Sequence, residues 1–423
     1  MKILFLTVAL LALTVATENH WAVLVAGSNG FWNYRHQADI CHAYQIMVNN
    51  GIPKDQIITF SYDDVATAKQ NPFPGQLFNK PDGPDVYEGC NIDYKGADVT
   101  PEKFLSVLKG EDQNGGKTLK TDKEDKIFIN FSDHGAPGLI AFPKGTLYAK
   151  DFIATLDHMY ENDLYNEMLI YIEACESGSM FENLLSDDKR IYATTAANSV
   201  ESSWGYYCSP NDMVNGKHVG SCLGDLYSIV WMEDSDEKDA CTETIGEQFD
   251  IVKAKTTKSH VMEFGDLSIK KEPVGNFDAV CKKRVESNIF DQLTKLFSLN
   301  ADEEMNQSAV DSRDIKLHYL YHRYLRTNAR EDAIELEHEI SHRSHIENRF
   351  STLRKHDSGI LFSEESRILK DAEAHTCYID LADTYHDICG RGEYDLKYYH
   401  NFVSLCNSNR RHEDLIAMVS AMC

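Results

Sequence analysis

Two apolar runs of strand length constrain this chain more than any other feature: Ile127-Phe128-Ile129-Asn130-Phe131-Ser132-Asp133-His134-Gly135 and Met168-Leu169-Ile170-Tyr171-Ile172-Glu173-Ala174-Cys175. Near-continuous apolar runs suit strands covered on both faces in a parallel sheet. In an open sheet of that kind the carboxyl ends of neighbouring strands open onto one crevice. Each run stops at a reactive side chain, so His134 and Cys175 can meet there as a base and its nucleophile.

The rest of the first half supports that frame. His20 to Gly27 reads as a buried strand ending in a turn. Ala38 to Asn50 has helical spacing and stops at Gly51, with Pro53 beyond. Gln56 to Phe60 and Arg190 to Ala196 supply further strands, and Tyr148 to Glu161 a helix. Residues 71–100, rich in Pro, Gly and Asp, read as a long loop. Strands alternating with helices give an α/β fold, a mostly parallel sheet flanked by helices. After about Val280 the strand signals vanish and the remainder is charged and helical in period. The chain divides into a signal peptide at 1–17, an α/β unit at 18–280, a linker at 281–310 and a helical unit at 311–423.

A net charge of −25 with no basic block excludes nucleic acid and anionic membrane surfaces as partners. One Lys, an apolar run from Ile3 to Leu13 and the small residues around Ala16 read as a secretory signal. No later run is long enough to cross a bilayer. An oxidising route makes the eleven cysteines disulfide partners rather than zinc ligands, and their odd number leaves at least one thiol free. Cys208 and Cys222 could close a local bridge.

Singly, a His-Gly at a strand end is a turn and a terminal Cys a buried thiol. Together they supply what thiol catalysis needs: a base, and a backbone N–H nest for an oxyanion, here the amides of Gly135 and Cys175. Around them lie Val25-Ala26-Gly27-Ser28-Asn29-Gly30, Asn33-Tyr34-Arg35-His36-Gln37-Ala38-Asp39, Asp133-His134-Gly135, Tyr171 to Met180, Tyr192 to Asn198 and Trp231 to Asp236. On these segments the chain resembles the legumains, asparaginyl endopeptidases among the caspase-like cysteine peptidases, over nearly its whole mature length.

The resemblance implies a zymogen that cleaves after Asn, and after Asp at acid pH, and activates itself at low pH in an endolysosomal, vacuolar or secreted setting. Cys175 would be the nucleophile, His134 the acid/base and Asn33 the residue that orients the imidazole. Arg35, His36, Glu173, Ser202, Ser203 and Asp225 would form the pocket for the residue before the scissile bond. A carboxamide fits such a set, Arg donating to its oxygen and a carboxylate accepting from its NH₂. Asp133 matches a family Asp that can cyclise to a succinimide and is associated with peptide ligation, so a ligase using the same acyl-enzyme is the alternative. A secreted decoy would have lost Cys175 or His134, and both are present. Protein and peptide substrates, the chain's own prodomain and cystatin-type inhibitors are the implied partners.

In the tail, resemblance pairs Cys377 with Cys406 and Cys389 with Cys423. His338-Glu339-Ile340-Ser341-His342 fits the H-E-x-x-H zinc pattern, but Asn348 stands where a third His is needed, so no metal and no cofactor are expected. A self-cleaving asparaginyl enzyme needs an Asn in its linker: Asn300 is favoured, with Asn306 as the alternative. Asn306-Gln307-Ser308 is also a glycosylation sequon; the second sequon, at Asn130, lies in an expected buried strand. Ten of the seventeen histidines lie in the tail, so acidification should alter its hold on the rest of the chain.

Overall fold

The computed structural model describes residues 19–111, 115–281, 308–356, 364–408 and 410–423. The signal segment, Asn300 and Asn306 lie outside the described residues. Seven strands form the central sheet in the order Met262–Gly265, Ile191–Thr195, Glu167–Glu173, Lys126–Ser132, His20–Ala26, Ile57–Ser61 and Tyr94–Lys95. All neighbours are parallel except Met262–Gly265, which runs against Ile191–Thr195.

The apolar runs are continuous because both faces are covered. Ala22, Leu24, Phe128, Leu169 and Tyr171 point into one cluster with Trp231 and Phe249. Val23, Val25, Ile127, Ile129, Ile170 and Ile172 point into the other with Phe104 and Phe152. Helices Tyr34–Asn49, Leu226–Glu237 and Ile245–Lys255 supply the first cover, Pro101–Leu108 and Ala149–Glu161 the second.

The helix expected from Ala38 starts at Tyr34 instead. Its first turn carries Arg35, His36 and Gln37, polar residues that are nonetheless buried and so break the apolar spacing that marks a helix. Residues 71–100 are mostly loop, tied to that helix by a Cys41–Cys90 disulfide. The chain up to Cys281 belongs to the first unit: Ile269, Val274 and Phe277 are buried in its core, and Cys241 bridges to Cys281.

The second unit is built of helices Ile315–Thr327, Arg330–His356, Ala372–Cys389, His400–Cys406 and His412–Ser420. Its core gathers Phe350, Tyr378, Leu381, Tyr385, Tyr399 and Phe402, and includes Ala136, Leu139 and Tyr148 of the first unit. Disulfides join Cys377 to Cys406 and Cys389 to Cys423. One expectation is corrected at the junction: Val310–Asp311, spanning the expected linker and helical unit, is a strand, paired antiparallel with Trp204–Tyr206. β-branched Val310 packs beside the Cys208–Cys222 disulfide and Ile315, and that local burial outweighs the helical trend. Among the described residues no helix is long and apolar enough to cross a membrane.

Phe350 is fully buried and its ring meets those of Tyr385, Tyr398 and Phe402. Phe350→Ala should cost about 3–5 kcal/mol, concentrated in the second unit. Hydrogen exchange should show the tail helices losing protection while the sheet strands keep theirs.

Candidate active site

Parallel register builds the site. Lys126 pairs with Glu167 and the ladder runs without a bulge to Ser132 opposite Glu173, so two residues further on His134 falls beside Cys175. The Asp133 amide still donates to the Glu173 carbonyl at 3.0 Å. Close approach explains Gly135: a Cβ there would stand 2.2 Å from the Cys175 carbonyl oxygen.

His134 Nε2 lies 2.9 Å from Asn33 Oδ1. An amide oxygen only accepts, so Nε2 carries the hydrogen and Nδ1 keeps the lone pair of a base. The orientation of Asn33 is set chemically, because its Nδ2 donates at 3.0 Å to the Asn29 carbonyl, which can only accept, and also at 2.7 Å to Glu393 Oε1. Cys175 is the only free cysteine among the described residues and is buried. Its Sγ accepts from the Ser203 amide at 3.3 Å and lies 3.7 Å from Ser203 Oγ.

The helix Tyr34–Asn49 aims its first turn at the same crevice. Arg35 Nε donates to Asp225 Oδ1 at 2.8 Å, both side chains about 1% exposed. Ser28 Oγ meets His36 Nδ1 at 2.6 Å, and His36 Nε2 lies 3.4 Å from Asp225 Oδ2. Glu173 Oε2 accepts from the amide and hydroxyl of Ser228 at 3.0 and 3.1 Å. Four buried polar atoms here have no hydrogen-bond partner: Arg35 Nη2, His36 Nε2, Glu173 Oε1 and Asp133 Oδ1. Ser202 lies at the rim, where its hydroxyl accepts from Arg313 of the tail at 3.4 Å.

Sequence reasoning missed four residues. Asp39, one turn beyond Arg35, accepts from Asn79 at 2.7 Å and from Ser132 Oγ at 3.2 Å; its spacing from Arg35 on one helix face was the available signal. Glu176 pairs with Arg313, their side chains 5% and 7% exposed. Glu393 bonds Asn33 and Trp32. The last two pairings join residues far apart in sequence, and no local pattern announces them.

Burial dominates the electrostatics. It pushes the Asp39, Asp133 and Glu173 carboxyls well above the usual range, and Asp225 upward as well, with the Arg35 charge opposing. Burial, then Arg35, holds His36 and His134 well below ordinary imidazoles. Desolvation takes the Cys175 thiol up to about 11, against the pull of Arg313. In this state Cys175 is a neutral thiol and His134 a neutral imidazole.

His36, Asp133 and His134 are the one cluster among the described residues with ligand atoms close enough to share a metal. In the H-E-x-x-H segment, Glu339 is held by Lys316 and Arg343, each at 2.8 Å, while His338 and His342 face solvent. A carboxylate neutralised by two cations is poorly placed to serve as a metal site's base.

Residues 20–280 match the Peptidase C13 family, and residues 334–423 match the legumain prodomain. A legumain of Mus musculus is 47% identical over 73% of this chain and 68% of its own. A vacuolar-processing enzyme of Vicia sativa is 36% identical over 95% and 85%, and a hemoglobinase of Schistosoma japonicum 45% identical over 75% and 71%.

A buried neutral thiol reacts slowly, because the thiolate is the nucleophile. Iodoacetamide should therefore label Cys175 more slowly in the intact chain than after removal of the tail. Equal rates would show that the tail does not set the state of the thiol.

Proposed function

Because the chain belongs to the peptidase C13 family and carries that family's prodomain, it is a cysteine peptidase zymogen, and we propose that it hydrolyses peptide bonds after Asn, and after Asp under acid conditions. The observation that carries this reading is the idle pair of Arg35 Nη2 and Glu173 Oε1, buried beside the crevice without partners. Unpaired buried polar atoms are costly, and a carboxamide satisfies both at once: its oxygen takes the guanidinium N–H and its NH₂ donates to the carboxylate. A site built this way rejects side chains that leave its groups unpaired.

In this reading the Cys175 thiol gives its proton to His134 Nδ1 and the sulfur attacks the carbonyl carbon after which the chain is cut. Asn33 holds the ring through Nε2 while it carries that proton. Amides of Gly135 and Cys175 receive the oxyanion. The leaving amine takes the proton from His134, and water, deprotonated by the same imidazole, releases the acyl-enzyme. The relatives named legumain and vacuolar-processing enzyme support an endolysosomal, vacuolar or secreted setting, and the tail is the inhibitory prodomain.

Acid release of that prodomain has opposing contributions. His318 sits in the helix docked beside Asp212, and burial, then His322, lowers it to about 4. A docked value below the free imidazole's means that its share of docking is complete above about 6.5 and is lost as pH falls towards 4. Glu176 works the other way: burial raises it to about 7, so docking takes up a proton between there and the ordinary carboxylate range. His318→Gln should therefore keep the tail bound to lower pH, measured as retention of the tail by a linker-cut Cys175→Ala zymogen. An unchanged release curve would remove His318 from the account.

Peptides varied only before the scissile bond test the specificity after acid activation. Cleavage should occur after Asn, vanish with Cys175→Ala and ignore chelators. The Asp-to-Asn rate ratio should rise about tenfold per pH unit as pH falls, levelling near 4, where the substrate carboxyl is protonated. Indifference to the residue at that position would defeat the reading.

A further inference from the structure

One corner of the crevice offers ligand atoms that cleavage after Asn leaves unused. His36 comes from the first turn of helix Tyr34–Asn49, and Asp133 and His134 follow the strand Lys126–Ser132. Each contributes a nitrogen or oxygen within 4.8 Å of the others. His36 Nδ1 lies 3.5 Å from Asp133 Oδ1, and the His36 and His134 rings meet edge to face with centroids 5.1 Å apart. His36 and Asp133 are 0% and 2% exposed, yet His36 Nε2 and Asp133 Oδ1 have no hydrogen-bond partner. Idle buried polar atoms are costly, and a substrate carboxamide held by Arg35 and Glu173 satisfies neither of these two.

Charge points the same way. Four buried carboxyls, Asp39, Asp133, Glu173 and Asp225, gather around the single guanidinium of Arg35, whose Nε is already committed to Asp225 at 2.8 Å. A divalent ion would supply the missing positive charge. Two imidazoles and a carboxylate suit zinc in particular, as three protein ligands with the fourth position open. Bonds of about 2.0–2.2 Å in a tetrahedron put donor atoms roughly 3.4 Å apart. His36 Nδ1 and Asp133 Oδ1 already have that spacing, and His134 has to close by about 1.4 Å at most. Ser28 Oγ, 2.6 Å from His36 Nδ1, can donate to the ring or accept from it, so His36 can present its lone pair on either nitrogen.

We propose that His36, Asp133 and His134 form an inhibitory zinc site, taking one Zn²⁺ between them and leaving the fourth position to water. The inference rests on the reading of His134 as the base. A neutral imidazole that ligates a metal through one nitrogen carries its hydrogen on the other. Whichever nitrogen of His134 the ion takes, no lone pair is left for the Cys175 proton, and the thiol stays protonated. Zinc here opposes the chemistry and takes no step in it. Chelators therefore leave zinc-free enzyme unchanged and restore enzyme that zinc has stopped.

The test uses activated enzyme, freed of its tail and the histidines there, in zinc-buffered solution at one fixed pH. Peptide hydrolysis should be lost at saturating Zn²⁺, return with chelator, and ignore Mg²⁺ and Ca²⁺, which favour oxygen ligands. Occupancy is read without catalysis by diethyl pyrocarbonate, which acylates a free imidazole lone pair: zinc should shield His134, mapped by peptide mass on the unaltered chain. In chains carrying Cys175→Ala and cut by the wild-type enzyme, competition against a chromophoric chelator should find one ion per chain. Adding His36→Gln or Asp133→Asn should weaken it at least about tenfold. The site is overturned if zinc leaves hydrolysis intact, if zinc inhibits while His134 stays open to the reagent, if Cys175→Ala abolishes binding, or if both substitutions leave binding unchanged. Shielding of His134 decides the matter where a substituted chain fails to fold. Zinc-free enzyme that cuts no peptide would overturn the reading of His134 as the base, with shielding and binding still measurable.

Discussion

The unbroken parallel register between Lys126–Ser132 and Glu167–Glu173 is the constraint on which the site depends. Side chains alternate along a strand, so a slip of one residue would turn either His134 or Cys175 away from the crevice. Burial on both faces prevents the slip, because it would push Ile127, Ile129, Ile170 and Ile172 out of one cluster and Phe128, Leu169 and Tyr171 out of the other. The same packing that stabilises the sheet therefore brings Cys175 and His134 to one crevice. Gly135 completes the arrangement by letting the His134 turn approach the Cys175 carbonyl.

Converging strand ends also gather charge. Arg35 is surrounded by the buried carboxyls of Asp39, Asp133, Glu173 and Asp225. One guanidinium cannot neutralise all of them in a medium of low dielectric. Asp225 has the direct ion pair, and burial pushes the other three towards their neutral forms. Glu173 is the informative member. A substrate NH₂ aimed at its free oxygen would favour the charged form again, so the carboxyl would ionise only when the fitting side chain arrives.

The sheet was readable because apolar runs ending at His134 and Cys175 have only one economical packing, and the crevice followed from it. Reading the Tyr34–Asn49 helix was harder at its start, because Arg35, His36 and Asp39 are polar yet buried and so look like surface to a periodicity argument. Ser202, Ser203 and Asp225 were assigned through family resemblance rather than spacing, since strands of two or three residues leave almost no periodic signal. Arg313 and Glu393 were invisible for another reason. Their partners are in the other unit, and a charged residue in a charged helical tail reads as solvated. The disulfides Cys41–Cys90 and Cys241–Cys281 likewise depend on tertiary proximity, which cysteine counting does not supply.

The tail gives the zymogen two different kinds of lock. The strand Val310–Asp311 pairs with Trp204–Tyr206, next to the Ser203 amide that meets Cys175, and steric exclusion of this kind is nearly absolute while it lasts. The second is electrostatic. Burial raises the Cys175 thiol to about 11, against the pull of Arg313, and so disfavours the thiolate. The cover itself is held partly by Glu176 and Arg313, a buried ion pair whose desolvation offsets much of its attraction. Such a pair fixes where the tail sits more than it strengthens the hold, because an Arg fork and a carboxylate meet only in one geometry. A lock with strong geometry and modest net free energy suits a peptidase whose cover must come off under conditions that leave the catalytic sheet folded.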